Sequence, residues 1–291
     1  MAPVPSQLQA AYDECARLAS SHYENFPVAS LLMSTQSRLH VTALYAFART
    51  ADDFSDEEKY EGRRLAELDR WEKQFHGALK GKKAPAVLQA FANTVRTFRI
   101  PLRLPLDLLK AYRMDLSVKR YATWDKLLFY CRHSANPVGR MVLLISGIRD
   151  EKLHRYSDHI CGGLQLINFW QDTAIDLKRE RIYYPQSELR KAGVRPQDLL
   201  SSKDSLAVRT LVKNALDYTQ RYYEKGFPLL SAVKGRLRLE LRATYLGGQG
   251  ILNKIRQMDY NVLSHRPHWN TWDKTNLLIK ALLGRVRPSE R

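Results

Sequence analysis

Apolar residues recur at helical spacing along almost the whole chain, and strand-like alternation is nearly absent. The pattern predicts helices over about 6–21, 27–34, 37–55, 62–79, 85–98, 104–119, 123–147, 151–179, 204–230, 234–260 and 270–284. Breaks fall where backbone chemistry demands them. Pro101 and Pro105 bracket a helix entry, Gly81-Lys82-Lys83 is a polar turn, and 193–196 reads as a loop. Thr123 suits an N-cap, as does Ser202 or Asp204 further on. Pro137 interrupts a helical pattern and should kink it. No fixed-period repeat, low-complexity tract or long linker divides the chain, so 1–291 reads as one all-α domain.

Two of these helices carry acidic stripes. Tyr45, Arg49, Asp52 and Asp56 fall at i, i+4, i+7 and i+11, with Asp53 beside them. Gln165, Asn168, Asp172 and Asp176 fall at i, i+3, i+7 and i+11. Acids four residues apart share one helix face, with Cβ atoms roughly 5–6 Å apart. At a helix C-terminus they oppose the macrodipole, at a cost of about a few tenths of a kcal/mol, so a pair of merely solvated acidic ends is disfavoured. Two such faces turned toward each other would form an all-oxygen site. Mg²⁺ takes one or two carboxylates and completes its shell with water and substrate phosphates. Lys178, Arg181 and Tyr183 follow the second stripe and could clamp diphosphate oxygens, although cations there also suit a helix end. Gly162-Gly163 implies close approach, either of another helix or of a bulky ligand.

The acids stand out because the chain is basic, +17 from 47 Lys+Arg against 30 Asp+Glu. That excess suits a diphosphate, an anionic membrane surface or nucleic acid. Cations are scattered rather than striped among aromatics, and no DNA-binding motif occurs, which argues against nucleic acid. Three cysteines without CxxC or zinc-like spacing point to a reducing, cytoplasmic setting. No signal peptide or membrane-spanning run is legible. Late basic residues (Lys280, Arg285, Arg287, Arg291) leave open peripheral contact with the inner face of the cytoplasmic membrane, and contacts with pathway enzymes.

The segments Tyr45-Ala46-Phe47-Ala48-Arg49-Thr50-Ala51-Asp52-Asp53-Phe54-Ser55-Asp56-Glu57 and Leu164-Gln165-Leu166-Ile167-Asn168-Phe169-Trp170-Gln171-Asp172 through Pro185 resemble the two signatures of the squalene/phytoene synthase family. The resemblance spans roughly 20–260. It implies the all-α isoprenoid synthase fold, a helical bundle around a central apolar cavity. It also implies about two or three Mg²⁺ ions that draw diphosphate off a prenyl substrate. Asp52, Asp53, Asp56, Asn168, Asp172 and Asp176 would then be metal ligands. Arg49, Gln165, Asn168, Lys178, Arg181 and Tyr183 would contact diphosphate or metal, and Tyr45, Tyr130 and Tyr245 would line the pocket, with His22 and Asn25 nearby. Aromatic faces such as Tyr45, Phe47 or Phe169 could steady a carbocation.

Departures from the family pattern narrow the choice. Gln171 stands where condensing members commonly carry a cation, and His22-Tyr23-Glu24-Asn25-Phe26-Pro27 and Ser134-Ala135-Asn136-Pro137-Val138-Gly139 replace a Ser-rich segment and a Gly-rich helix break. These resemble the branch that ionises presqualene diphosphate and lets water capture the rearranged cation, giving hydroxysqualene. No dinucleotide fingerprint occurs, so NADPH is not expected. Asn136, Asn25 and Tyr45 are candidates for holding the water, and Asn136 is favoured because the Pro137 kink opens polar backbone beside it. The rivals are a condensing relative that joins two prenyl diphosphates (a presqualene diphosphate, phytoene or dehydrosqualene synthase) and a non-catalytic helical nucleic-acid binder.

Overall fold

The computed structural model of the chain describes residues 5–21, 35–202, 204–284 and 286. Among them there is no strand, only one isolated parallel bridge between Arg120 and Ile182. The helices are α1 (Gln9–Ser21), α2 (Thr35–Asp56), α3 (Arg64–Leu79), α4 (Ala86–Phe98), α5 (Arg103–Asp115), α6 (Trp124–Ser134), α7 (Asn136–Ile145), α8 (Glu151–Gln171), α9 (Thr173–Lys178), α10 (Gln186–Lys191), α11 (Pro196–Leu200), α12 (Leu206–Glu224), α13 (Leu229–Ala232), α14 (Gly235–Gln257) and α15 (Thr271–Leu282). The all-helical expectation holds. The segment read as a helix over 27–34 lies outside the described residues, as do His22 and Asn25.

Three boundaries differ from the sequence reading. The stretch 123–147 is two helices, broken at Ala135, with Pro137 at the second position of α7. Proline is tolerated there because its missing N–H would have no intrahelical partner. The stretch 151–179 is interrupted at Asp172, although Asp172 N still donates to the Asn168 carbonyl and Asp176 N to that of Asp172. The N-cap of α12 is Ser205, whose hydroxyl accepts from Val208 N at 3.3 Å, not Ser202 or Asp204. Thr123 caps α6 as expected.

The packing resolves into two compact units. Unit one is Met1–Ser117, Pro137–His154 and Gly235–Glu240; unit two is Val118–Asn136, Arg155–Lys234 and Leu241–Arg291. In unit one Phe47 is fully buried, with ring centroids 4.4 Å from Phe91, 5.1 Å from Phe75 and 6.1 Å from Trp71. Phe47 is therefore core, and the carbocation role read for it from sequence does not hold.

One polar network ties α1, α2 and α4 within that core. The Tyr12 hydroxyl lies 3.1 Å from His40 Nδ1, 3.0 Å from Thr94 Oγ1 and 3.1 Å from the Ala90 carbonyl, and accepts from Asn93 Nδ2 at 2.9 Å. Burial pushes the His40 pKa down to about 4, so its ring is neutral in the fold. The unfolded chain takes up that proton near pH ~6.5. The unfolded state thus binds more protons between these values, and stability from this group, complete above about 6.5, falls as pH drops toward about 4. Urea melts at pH 7 and 4.5 should differ by about 2–3 kcal/mol more for the native chain than for His40→Gln. Equal pH slopes in the two proteins would refute a neutral buried His40.

Candidate active site

In unit one the α2 stripe forms as the helical spacing requires. Arg49 Nη2 sits 2.5 Å from Asp53 Oδ1 and Nη1 3.4 Å from Asp52 Oδ2. Burial disfavours the Arg49 charge, but the Asp53 and Asp52 carboxylates outweigh it and raise its pKa. Tyr45 belongs to the same patch. Burial raises its pKa first; Arg49 lowers it, and Asp53 and Asp52 add to the rise. Asp56 closes the helix one turn on.

Two further residues join this patch that the sequence reading did not single out. On α5, the Tyr112 hydroxyl is held well above its ordinary pKa, by burial first and then by the Asp52 and Asp115 carboxylates. Tyr112 and Asp115 are at i, i+3, the same one-face spacing that marked the acidic stripes, and that signal was available.

In unit two Gln165 and Asn168 lie on α8, the first half-buried and the second exposed, leading to Asp172 at the helix break. Thr173 secures that break: its Oγ1 donates to the Phe169 or Trp170 carbonyl and lies 3.0 Å from the Tyr184 hydroxyl. Asp176, Arg181 and Tyr183 line one small recess with Phe169 and Thr173. Lys178 is exposed. The chain after α9 is pinned to the stretch before α6, where Ile182 N donates to the Lys119 carbonyl and Gln186 N to that of Tyr121. This lays Tyr183 flat on Phe169, 3.7 Å between centroids and 8° apart. Tyr121 and Tyr130 complete the aromatic group at 5.9 and 6.4 Å from Tyr183. Tyr245 is placed elsewhere in the unit, stacked on Tyr223 at 4.5 Å with its hydroxyl buried and unpartnered.

One ion pair on the second motif comes from a residue not singled out from the sequence. Arg266 Nε donates to Asp172 Oδ1 at 2.6 Å, and Gln171 Nε2 donates to the neighbouring Pro267 carbonyl at 2.7 Å. The cation absent at position 171 is thus supplied by position 266, and Gln171 holds the segment that carries it.

Asn136 is 7% exposed, and its Oδ1 has no hydrogen-bond partner. It lies beside Gly162, where an added Cβ would come within 3.4 Å of that oxygen and 3.1 Å of Tyr222. Gly162 and Gly163 thus serve close helix packing: a Cβ on Gly163 would fall 2.4 Å from Tyr223 Cδ2.

Among the described residues no three His, Cys, Asp or Glu side chains gather into a ready-made metal cage. The donors are nevertheless hard oxygens arrayed in ones and twos, which fits Mg²⁺ in the mode where substrate phosphate and water complete the shell.

An all-helical architecture with these motifs defines an enzyme of the isoprenoid synthase fold. The chain belongs to the squalene/phytoene synthase family, whose profile matches residues 19–273. It is 35% identical over 248 residues to a hydroxysqualene synthase from Rhodopseudomonas palustris, covering 84% of this chain and 83% of that protein. A chloroplastic phytoene synthase from Daucus carota is 29% identical over 90% of this chain and 67% of its own length. Among solved structures, a squalene synthase, HpnC, from Alicyclobacillus acidocaldarius superposes with TM-score 0.84 at 38% identity, over 89% of this chain and 97% of that one.

Proposed function

We propose that this protein converts presqualene diphosphate to hydroxysqualene in a Mg²⁺-dependent ionisation followed by water capture. The observation that carries the reading is the 35% identity to a hydroxysqualene synthase across most of both chains. Bound Mg²⁺ supplies Lewis-acid withdrawal of the leaving diphosphate. Its oxygen donors in this reading are Asp52, Asp53 and Asp56 in unit one, and Asn168, Asp172 and Asp176 in unit two. Arg49, Arg181 and Arg266 hold diphosphate oxygens by charge-assisted hydrogen bonds, with Tyr183, Gln165 and Lys178 adding donors.

Heterolysis of the C–O bond leaves its electron pair on diphosphate and a cyclopropylcarbinyl cation on the substrate. A ring-bond shift to a rearranged cyclopropylcarbinyl cation and its ring opening give an allylic cation, which the faces of Tyr45, Tyr130 and Phe169 stabilise by cation–π attraction. Water adds through its oxygen and loses a proton to solvent or to the departed diphosphate, so no reductant is consumed. Asn136 orients this water in our reading. A buried amide oxygen left unpaired costs about 1–3 kcal/mol, which a hydrogen bond from water would offset.

Incubation with presqualene diphosphate and Mg²⁺, without NADPH, should release hydroxysqualene. Coupling of two farnesyl diphosphates at a comparable rate would instead make the protein a condensing member of the family. Asn136→Ala should retain diphosphate release while the share of alcohol among products falls about tenfold. Unchanged product identity and yield would remove Asn136 from the mechanism.

A further inference from the structure

The helix α15 lies along α14, and the described contacts between them fall on one face of it. At its start Asn270 Oδ1 accepts from Asp273 N at 2.8 Å, and Asp273 Oδ2 accepts from Asn270 N at 3.0 Å. Lys254 pairs with the same Asp273 at 2.7 Å. The Trp269 ring fills the space over Gly250, where a Cβ would meet it at 2.2 Å. Further along, Leu277 approaches Gly247, Ala281 is fully buried, and Gly284 meets Arg242. Residues 273, 277, 281 and 284 follow the i, i+4, i+8, i+11 spacing of a single packed face.

The opposite face exposes large apolar side chains. Trp272 is 77% exposed, Ile279 50%, Leu282 61% and Leu283 60%. Residues 272, 279 and 283 fall at i, i+7 and i+11, on the side of the helix turned away from α14, and 282 flanks them. Single exposed hydrophobics are ordinary, but three on a helix of twelve residues and a fourth, Leu283, at its C-cap form a surface that water disfavours. Lys280 is exposed at the edge of this face. The sequence from 271 onward carries Lys274, Lys280, Arg285, Arg287 and Arg291 against Asp273 and Glu290, and Asp273 is already engaged by Lys254. An amphipathic helix with Trp and Leu on one face and cations around it has the chemistry of an interfacial membrane helix. No described helix is long and apolar enough to cross a membrane, so the contact is one of surface docking.

We propose that the outer face of α15 docks this protein on an anionic phospholipid bilayer. Trp272, Ile279, Leu282 and Leu283 enter the headgroup–acyl boundary, and Lys280 meets the lipid phosphates. A second copy of this chain would satisfy the apolar side chains but not the charge, since it carries the same excess of cations in this part of its sequence. The anionic bilayer satisfies both.

The test is flotation of the full chain with vesicles, without substrate, so its outcome does not depend on the proposed reaction. Vesicles of phosphatidylcholine with phosphatidylglycerol should carry the protein at low salt, and pure phosphatidylcholine should carry far less. The fourfold change Trp272→Ser, Ile279→Ser, Leu282→Ser and Leu283→Ser should weaken partitioning more than about tenfold. Lys280→Glu should weaken it at least about fivefold. Circular dichroism confirms that the variants fold, as substitutions at exposed positions should allow. Failure of the native chain to float with anionic vesicles overturns the proposal, as does equal flotation of the fourfold variant. A native dimer that the fourfold change turns into a monomer, with no vesicle binding by either, would assign the face to a second copy instead and would also overturn it.

Discussion

Asp172→Asn should lower kcat/KM for the diphosphate substrate by about 10²–10³ while leaving thermal stability almost unchanged. The substitution keeps the side chain's size and removes its charge. Asp172 stands at the break between α8 and α9, where its carboxylate is the partner of Arg266 and, in the proposed function, a donor to Mg²⁺. Its side chain is 31% exposed and that of Arg266 51%. An ion pair so accessible contributes only about 0–1 kcal/mol to folding, so Tm should shift by no more than about 3 °C. Large kinetic loss with little thermal loss is the signature of a functional carboxylate. The concentration of Mg²⁺ giving half-maximal rate should rise in parallel. The control is Asp69→Asn, which breaks a comparably accessible pair with Arg113 at 2.7 Å in unit one and should leave the rate unchanged. If Asp172→Asn keeps activity within about threefold of the native enzyme, or if Asp69→Asn loses as much, Asp172 is not a ligand of metal or diphosphate.

How much of the fold and of the site is legible in the sequence depends on the kind of signal each feature leaves. Long amphipathic helices are the clearest: α14 runs Gly235–Gln257 where periodicity placed 234–260. The Arg49–Asp52–Asp53 patch was equally legible, because residues on one helix face are neighbours whatever the tertiary structure. Breaks were harder. Pro137 announced one, yet the break falls at Ala135, two residues earlier, because the proline ring disfavours helical geometry in the residues before it and is at home in the first turn of a new helix. The interruption at Asp172 carries no proline or glycine; it depends on the Thr173 hydroxyl and Tyr184, a tertiary contact. The short helices α10 and α11 lie in a stretch too brief for a 3.6-residue period to show, and the Arg195–Asp198 contacts that start α11 are local. Arg266 could not be found by pattern at all. It sits 94 positions from Asp172 outside any helix, and only the fold brings the two together.

The glycine pair of α8 shows the same limit, because spacing alone left helix packing and a ligand channel equally open. The structure decides for packing, and sharply so at one of the two. Gly163→Ala would set a methyl group 2.4 Å from Tyr223 Cδ2 and 3.0 Å from its Cβ and Cγ. Tyr223 has nowhere to go: it is fully buried, stacked on Tyr245, and its hydroxyl donates to the Tyr245 carbonyl at 3.3 Å or to that of Thr244 at 3.4 Å. Alanine should gain about 1 kcal/mol over glycine from helix propensity. Overpacking a core of this kind costs about 1–3 kcal/mol, and the contact to a ring atom anchored at both ends places the cost at the upper end or beyond. The expected net is a destabilisation of about 1–2 kcal/mol, seen as a Tm lower by about 3–8 °C. Gly162→Ala makes only 3.1 and 3.4 Å contacts, to the half-buried Tyr222 and to Asn136, so there the propensity gain should roughly cancel the strain. A Gly163→Ala protein as stable as the native chain would mean that the closeness of α8 to α12 is not what requires glycine at that position, and a Gly162→Ala protein that melts several degrees lower would mean that Tyr222 and Asn136 cannot give way as expected.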